Sequence, residues 1–354
     1  MYSESDLESA VAAGAITSDA AEALRNHVAA QRSTVLVDEE SFRLLSGFND
    51  IFVVIASILL LTALGWIGSS VAPMIGAALV ATASWGLAEF FTRKRRMALP
   101  SIVLLLTFAC GVAGTVAGVV DLLMPSRDGR GEALIGAGTA LITAIAIWLH
   151  WRRFRVPITV AVGGVSLVCL LAALILAIDP LLILQLNWIA LLGGLCLFAF
   201  AMWWDISDRV RQTRRSDVAF WLHLAAAPMI AHSIFYALGV FAGRIDTPQA
   251  AMIVAFYIFL AGVSLAIDRR ALLVSSLAYV LYAISTLFKD FGAVSLNLAL
   301  TGLVIGSALL LLSAFWHPAR RAVLRMLPVS WRDRLPVLDR PAAVSSNTRQ
   351  TAVF

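Results

Sequence analysis

The sequence predicts an all-α fold: a polytopic transmembrane helical bundle of about ten spanning helices, preceded by a small N-terminal helical hairpin. Three observations predict it. Hydrophobic residues make up 60% of the 354, charged residues only 14%, and mean hydropathy is +0.87; soluble domains carry roughly 45–50% and about 25%. Between residues 49 and 316 the chain is nearly continuous apolar sequence cut by short polar turns. Those turns alternate between arginine-rich and arginine-poor. One water-soluble core could not bury this much apolar surface, and the low charge excludes a disordered chain.

Residues 1–48 are polar. Ser5 and Glu8 have capping-box spacing for a first short helix. Gly14 marks its end, and Thr17, Ser18 and Asp19 start a second helix that runs through Glu22, Leu24 and Val28. The stretch VDEESFRLLSGFND follows as a short amphipathic approach to the membrane. The opening MYSESDLESAVAAGA has no basic segment followed by an apolar one. It is not expected to be a signal peptide, and the first spanning helix is expected to act as its own insertion signal.

A spanning helix needs about 20 apolar residues. Ten stretches qualify: 50–69, 71–91, 98–124, 133–151, 156–178, 181–204, 218–243, 250–268, 271–288 and 293–315. Lipid offers backbone groups no partner, so each stretch must be a helix. Barrel strands would be shorter and would alternate apolar with polar. The domains are therefore 1–48, a ten-helix membrane domain over 49–316, and a basic segment over 317–354.

Orientation follows from the basic residues. With the N-terminus in the cytoplasm, the inside segments hold 23 Arg and Lys and the outside loops hold four: Arg127, Arg130, Arg244 and Lys289. This is a strong positive-inside signal and places both termini in the cytoplasm. The basic turns begin near residues 93, 152, 209 and 269, at spacings of 59, 57 and 60. Together with the likeness of IGAALVAT from Ile75 to IGAGTALI from Ile135, they raise the possibility of four helical hairpins in parallel repeat. Any tightly looped bundle gives about the same spacing, so the pattern alone does not establish a repeat.

Three G-x-x-x-G pairs, Gly114/Gly118, Gly239/Gly243 and Gly302/Gly306, read as close internal packing faces in preference to dimer seams. Cys110, Cys169 and Cys196 lie in apolar runs with no metal or disulfide spacing and read as buried small apolar residues. Residues 317–327 form a candidate amphipathic helix. Val323, Leu324, Met326 and Leu327 share one face, with Arg321 and Arg325 opposite, an arrangement suited to an anionic leaflet. The stretch from Pro341 reads as disordered.

An ionisable group at membrane depth is a functional candidate by default. His232 lies near the middle of its span, with Pro228 one turn before it and Tyr236 on the same face. Pro228 leaves the carbonyl of Leu224 without its donor. His232, Pro228 and Tyr236 are therefore the primary candidates for a polar cavity, against the plainer reading of a histidine hydrogen-bonded to a neighbouring helix. Secondary candidates are Glu89, Asp121, His223, Tyr257 and Asn297. Glu89 reads as an anchor for Arg93, Asp121 lies near the outer end of its helix, and His223 faces away from His232. Asp205 reads as a boundary residue and His150 as interfacial.

No H-E-x-x-H, G-x-x-x-x-G-K-[ST] or G-x-S-x-G motif occurs, and no pair of carboxylates at membrane depth offers an acid and a base. Enzyme is the weakest class, and no cofactor, metal site or nucleic-acid partner is expected. The expected partners are the bilayer, anionic lipid headgroups at the C-terminal basic helix, and a small solute if one is carried.

The segments GAITSDAAEALRNHV, VDEESFRLLSGFNDIFV and GLVIGSALLLLSAFW-x-x-x-R resemble a family of uncharacterised bacterial multi-spanning membrane proteins, a domain of unknown function with a short cytoplasmic N-terminal hairpin. The resemblance covers the first 70 residues and the last spans. It implies residence in the bacterial inner membrane and no particular substrate. The layout of ten spans with both ends inside is also similar to that of drug/metabolite transporters, from which the N-terminal hairpin departs. Transport or permeation of a small solute is the leading expectation. A non-transporting scaffold or sensor signalling through its cytoplasmic ends is the rival.

Reporter fusions test the topology. Those at Arg130 and Arg244 should read outside, and those at Arg95, Arg153, Arg214 and Arg349 inside. A periplasmic signal at Arg349 would refute an even number of spans.

Overall fold

The structure, a computed structural model, describes residues 10–24, 48–125, 128–209, 211, 213–241, 246–290 and 297–337. Its regular elements among these residues are all helical. The chain divides into two units, Met1–Arg43 and Leu44–Phe354. In the first, a helix ends at Ala12 and Gly14 takes a left-handed φ of 70°. There the Ala15 amide donates to the Ala10 carbonyl at 2.9 Å. Thr17 Oγ1 accepts from the Ala20 amide at 3.2 Å and caps the helix that follows. The Ser5–Glu8 cap, Val28, the approach segment up to residue 47 and the tail from Pro341 lie outside the described residues.

The second unit begins with α1 (Phe48–Ser69). Next comes α2 (Pro73–Ala88), which a π-helical turn, Glu89–Lys94, prolongs. Pro73 suits the first turn of α2, where an amide would have no partner. Then come α3 (Ala98–Leu123), α4 (Gly129–Phe154), capped by Asp128 at the Gly131 amide at 2.7 Å, and α5 (Ile158–Ile178). A 3₁₀ turn, Pro180–Gln185, leads into α6 (Leu186–Ser207). The chain continues through α7 (Arg214–Ala237), α8 (Thr247–Ile267), α9 (Ala271–Asp290) and α10 (Asn297–Ala314). After an 81° bend follow α11 (Trp316–Met326) and the short α12 (Val329–Arg332).

Each of the ten predicted stretches overlaps a helix, though 218–243 runs past the end of α7 at Ala237, and 242–243 and 293–296 lie outside the described residues. Eight described helices are long and apolar enough to cross a membrane, nine if the bent α10–α11 pair counts as one span. The apolar part described for α9, Ala271–Thr286, is shorter. Large apolar side chains stand exposed along these helices, among them Leu59, Trp66, Leu192 and Leu310. Apolar surface on this scale is at home in lipid. All three cysteines are exposed, which corrects the expectation that they are buried. An outward face in a membrane is as apolar as a core, so sequence hydropathy does not separate the two.

The four basic turns share a backbone device. Among the described residues one non-glycine residue adopts a left-handed conformation in each: Arg96, Arg155, Arg211 and Asp268, with φ between 54° and 58°. Non-glycine residues rarely occupy this region, and here one recurs at intervals of 59, 56 and 57 residues. Each turn closes a hairpin of two helices packed along their length: α2/α3, α4/α5, α6/α7 and α8/α9. Successive hairpins touch mainly through the second helix of the earlier one. α3 meets α4 and α5, α5 meets α7, and α7 meets α9. Among the described residues no substantial contact joins the first hairpin to the last. The hairpins therefore form an open row, with α7 its most deeply embedded member.

Close backbone approach holds the first hairpin together. A Cβ on Gly111 of α3 would lie 2.7 Å from the Ala81 amide nitrogen of α2, and Ser84 and Thr107 share a hydrogen bond of 2.8 Å between the same helices. Gly118 packs on Met74 in the same seam, as expected for an internal face. Gly239 instead ends α7, and Gly243 lies outside the described residues. A Cβ on Gly302 or Gly306 would meet no neighbour within 4 Å among the described residues, so no close internal packing face is seen there among them.

Gly111→Leu should destabilise the purified protein by about 1–3 kcal/mol through overpacking, read as a lower melting temperature in detergent. Gly302→Ala should leave the melting temperature unchanged. Equal effects of the two would refute the close approach of α2 and α3.

Candidate functional site

The chain concentrates its buried polarity at the basic-turn end of the bundle. Asp205, in the last turn of α6, is 1% exposed, His223 in α7 is 2% exposed, and Arg269 in the α8–α9 turn is 4% exposed. Arg269 grips the Asp205 carboxylate in a fork, Nη2 to Oδ1 at 2.7 Å and Nε to Oδ2 at 3.3 Å. His223 Nε2 meets Oδ2 at 3.0 Å. A carboxylate paired with arginine accepts only, so Nε2–H is the donor and the imidazole sits in its Nε2–H form. Its Nδ1 has no partner among the described residues, and the Phe198 ring packs edge-on with centroids 5.1 Å apart. Arg269 also donates to the Ser216 carbonyl at 3.1 Å and lies over the Phe220 ring at 5.9 Å. Ser264 Oγ donates to the Arg269 carbonyl and helps fix the turn.

The neighbouring residue, Asp268, faces the opposite way. Its carboxylate accepts from Arg211 Nη1 and from Trp316 Nε1, both at 2.8 Å, and lies 3.7 Å from Arg320 Nε. Arg211 Nη2 bonds the carbonyls of Ile267 and Asp268, each at 3.1 Å. The left-handed backbone at Asp268 lets two adjacent side chains diverge. Asp268 reaches the α6–α7 connection and α11, while Arg269 reaches α6 and α7. One dipeptide thus ties four membrane helices to the C-terminal helix through two crossed ion pairs.

The predicted candidates fall in separate places. His232 lies on an exposed face of α7, opposite His223, and its Nδ1 shares a 2.9 Å hydrogen bond with the Tyr279 hydroxyl. Tyr236, Phe241 and Tyr279 surround it, with ring centroids 5.3–6.3 Å away. Pro228 is exposed on the same face, and α7 runs through it without interruption. Glu89 holds Arg153 of the next hairpin in a fork at 2.7 and 3.0 Å and reaches Arg93 at 3.4 Å. Asp121 is exposed in the last turn of α3. Tyr257 is half-buried, and its hydroxyl has no partner among the described residues. Asn297 begins α10, and its side chain lies outside the described residues.

His150, read as interfacial, is instead fully buried. Trp85, Phe108 and Phe154 enclose it, with centroids 4.5–5.8 Å away. A groove of about 690 Å³ opens between α1, α2 and α3, walled by apolar side chains with the hydroxyls of Thr62, Ser69, Ser70 and Thr107 among them. Among the described residues no group of three His, Cys, Asp or Glu is placed to hold a metal.

The reading from sequence did not single out Asp205 or Arg269. The available signal was the dipeptide Asp268–Arg269 closing an apolar stretch, with an isolated aspartate behind Trp203 and Trp204. No protein-family model, curated protein or solved structure matches the chain.

Removing one partner of a buried pair leaves the other charge uncompensated, at a cost of about 3–5 kcal/mol. Arg269→Gln alone should therefore lower unfolding stability in detergent by about that much, and Asp205→Asn with Arg269→Gln should cost less than the sum of the singles. Strict additivity would show that the two side chains are not coupled.

Proposed function

We propose that this multi-pass protein resides in the bacterial inner membrane with both termini in the cytoplasm and ten spans. We further propose that it carries or admits a small solute. The observation that carries this reading is the fully buried Asp205–His223–Arg269 cluster. An intramembrane group of this kind is costly to keep for anchoring alone, and apolar residues of similar volume often do as well or better. His223 holds its only described hydrogen bond through the carboxylate that Arg269 also grips. A proton on Asp205 would weaken both contacts at once, whereas one at Nδ1 would leave Nε2–H donating and strengthen its pairing with the carboxylate. The cluster is thus suited to act as a protonation-sensitive lock between the third and fourth hairpins. The groove between α1 and α3, apolar with a few hydroxyls, suits a small amphiphilic solute. His232 remains a second site on this reading, on the opposite face of the same helix. No enzymatic role is proposed.

The rival is a non-transporting scaffold or sensor. Two observations favour it: the row of hairpins is open among the described residues, and Asp268, next to Arg269 of the lock, connects directly to α11.

Untargeted uptake and efflux profiling of a deletion strain distinguishes them. Under the transport reading some solute flux changes on deletion. Wild-type protein restores it, and His223→Ala inserts normally but restores less than about a tenth, the scale of a lost charge-assisted contact. His232→Ala should restore more than His223→Ala does. Unchanged fluxes on deletion would overturn transport and leave the scaffold.

A further inference from the structure

The C-terminal segment builds a small basic pocket that the cluster above does not use. After the 81° bend, α11 anchors by Trp316, Arg320 and Leu324, which are 4%, 2% and 5% exposed. This is one face at i, i+4 and i+8. Met326, expected on the apolar face, is 83% exposed. The residues one position further along, Arg321 and Arg325, are exposed. They line a pocket of about 300 Å³ together with Arg209 and Arg332, over a floor of Leu324, Pro336 and Val337.

The walls are braced from behind. Arg209 Nε donates to the Leu335 carbonyl at 3.0 Å, and Arg320 Nη2 to the Pro336 carbonyl at 2.7 Å. Arg332 Nε donates to the Leu327 carbonyl at 3.0 Å. The bonds of Arg209 and Arg332 run through Nε, so their terminal Nη groups are not committed by them. Among the described residues no acidic side chain lines the pocket. The Asp268 carboxylate is already shared by Arg211, Trp316 and Arg320. Four guanidinium groups around one concavity repel one another unless an anion sits among them, and guanidinium pairs match the oxygens of phosphate in a forked geometry.

We propose that this pocket binds a phosphate group of high negative charge, carried either by a membrane lipid headgroup or by a soluble phosphate. The site is independent of the transport reading. Its place at the arginine-rich end of the spans, beside an apolar helix face, suits either source.

Full-length protein in phosphatidylcholine nanodiscs, with and without a few per cent phosphatidic acid, tests it. Native mass spectrometry counts retained phosphatidic acid, and titration with inorganic phosphate in lipid-neutral discs reads the soluble arm by thermal shift. Wild type should respond to at least one probe, less so as salt is raised. Arg321→Gln/Arg325→Gln/Arg332→Gln should bind that probe about tenfold or more weakly, as expected when charge-assisted contacts are lost. Arg214→Gln/Arg215→Gln, outside the pocket, should bind as wild type does. Retention of phosphatidic acid alone assigns the headgroup, and a phosphate response assigns the soluble ligand. Arg321→Lys/Arg325→Lys keeps the charge but not the fork, and should give intermediate binding even if the triple variant fails to insert. The proposal is overturned if wild type takes up neither probe, if both pocket variants bind as wild type does, or if the control pair loses as much as the triple variant.

Discussion

A charged side chain at the centre of a bilayer costs about 3 kcal/mol or more, and an unpaired backbone amide there costs several. Both penalties vanish at the ends of a span, so a membrane chain places its charges there. In this protein the segregation is one-sided. The turns after α2, α4, α6 and α8 collect the arginines, and half of the buried polar side chains described gather in or just inside those turns: Thr92 and Ser101, His150 and Thr159, Asp205 and His223, Ser264 and Arg269. The recurring left-handed residue fits the same constraint. A turn of few residues keeps the backbone inside helical hydrogen bonding for as long as possible, and a single residue of positive φ then reverses the chain.

At the last basic turn the constraint is met differently. Asp268 and Arg269 carry opposite charges on adjacent residues, yet each finds its partner on another helix. A local pair within the turn would have satisfied the charges without joining anything. The crossed arrangement instead makes the α6–α7 hairpin, the α8–α9 hairpin and α11 depend on one another. It also explains why α11 lies across the bundle after the bend, for Trp316 and Arg320 are drawn to the same carboxylate.

How much of this could be read in advance differs between fold and site. The helices were legible because lipid permits one backbone solution and the basic turns alternate. Even the hairpin spacing was visible, though spacing alone does not separate a repeat from tight looping. The break near residue 315 was legible, because the apolar stretch ends there and an amphipathic helix is expected from 317; the 81° angle itself was not. The site was read less well, for a physical reason. Helical periodicity correctly sets His223 and His232 on opposite faces, but it does not say which face is inward. Depth in the span drew attention to His232, whereas burial belongs to His223. In water hydropathy would separate the two faces; in lipid both are apolar, and only the partners Asp205 and Arg269, contributed by distant segments, distinguish them.

The links between successive hairpins are unequal, and this bears on where the row can flex. The first two hairpins share Glu89 and Arg153, whose side chains are 31% and 42% exposed; exposed pairs of this kind contribute about 1 kcal/mol or less. The second and third meet through apolar contacts, with Gly164 of α5 set closely against Leu197 of α6. The third and fourth are joined by buried ion pairs whose separation exposes charge to an apolar interior. Separating α7 from α9 at the basic end therefore requires that the Asp205 and Asp268 contacts loosen together, whereas the first hairpin is also held to the second by the rings of Trp85 and Phe108 packed on the buried His150, and of Trp85 on Phe154. The groove lies at the first-hairpin end of the row and the buried charges at the other. A change in the charge state of the cluster would thus act first on α6 to α9 and α11, and reach the groove only through the packed faces of α5 and α3.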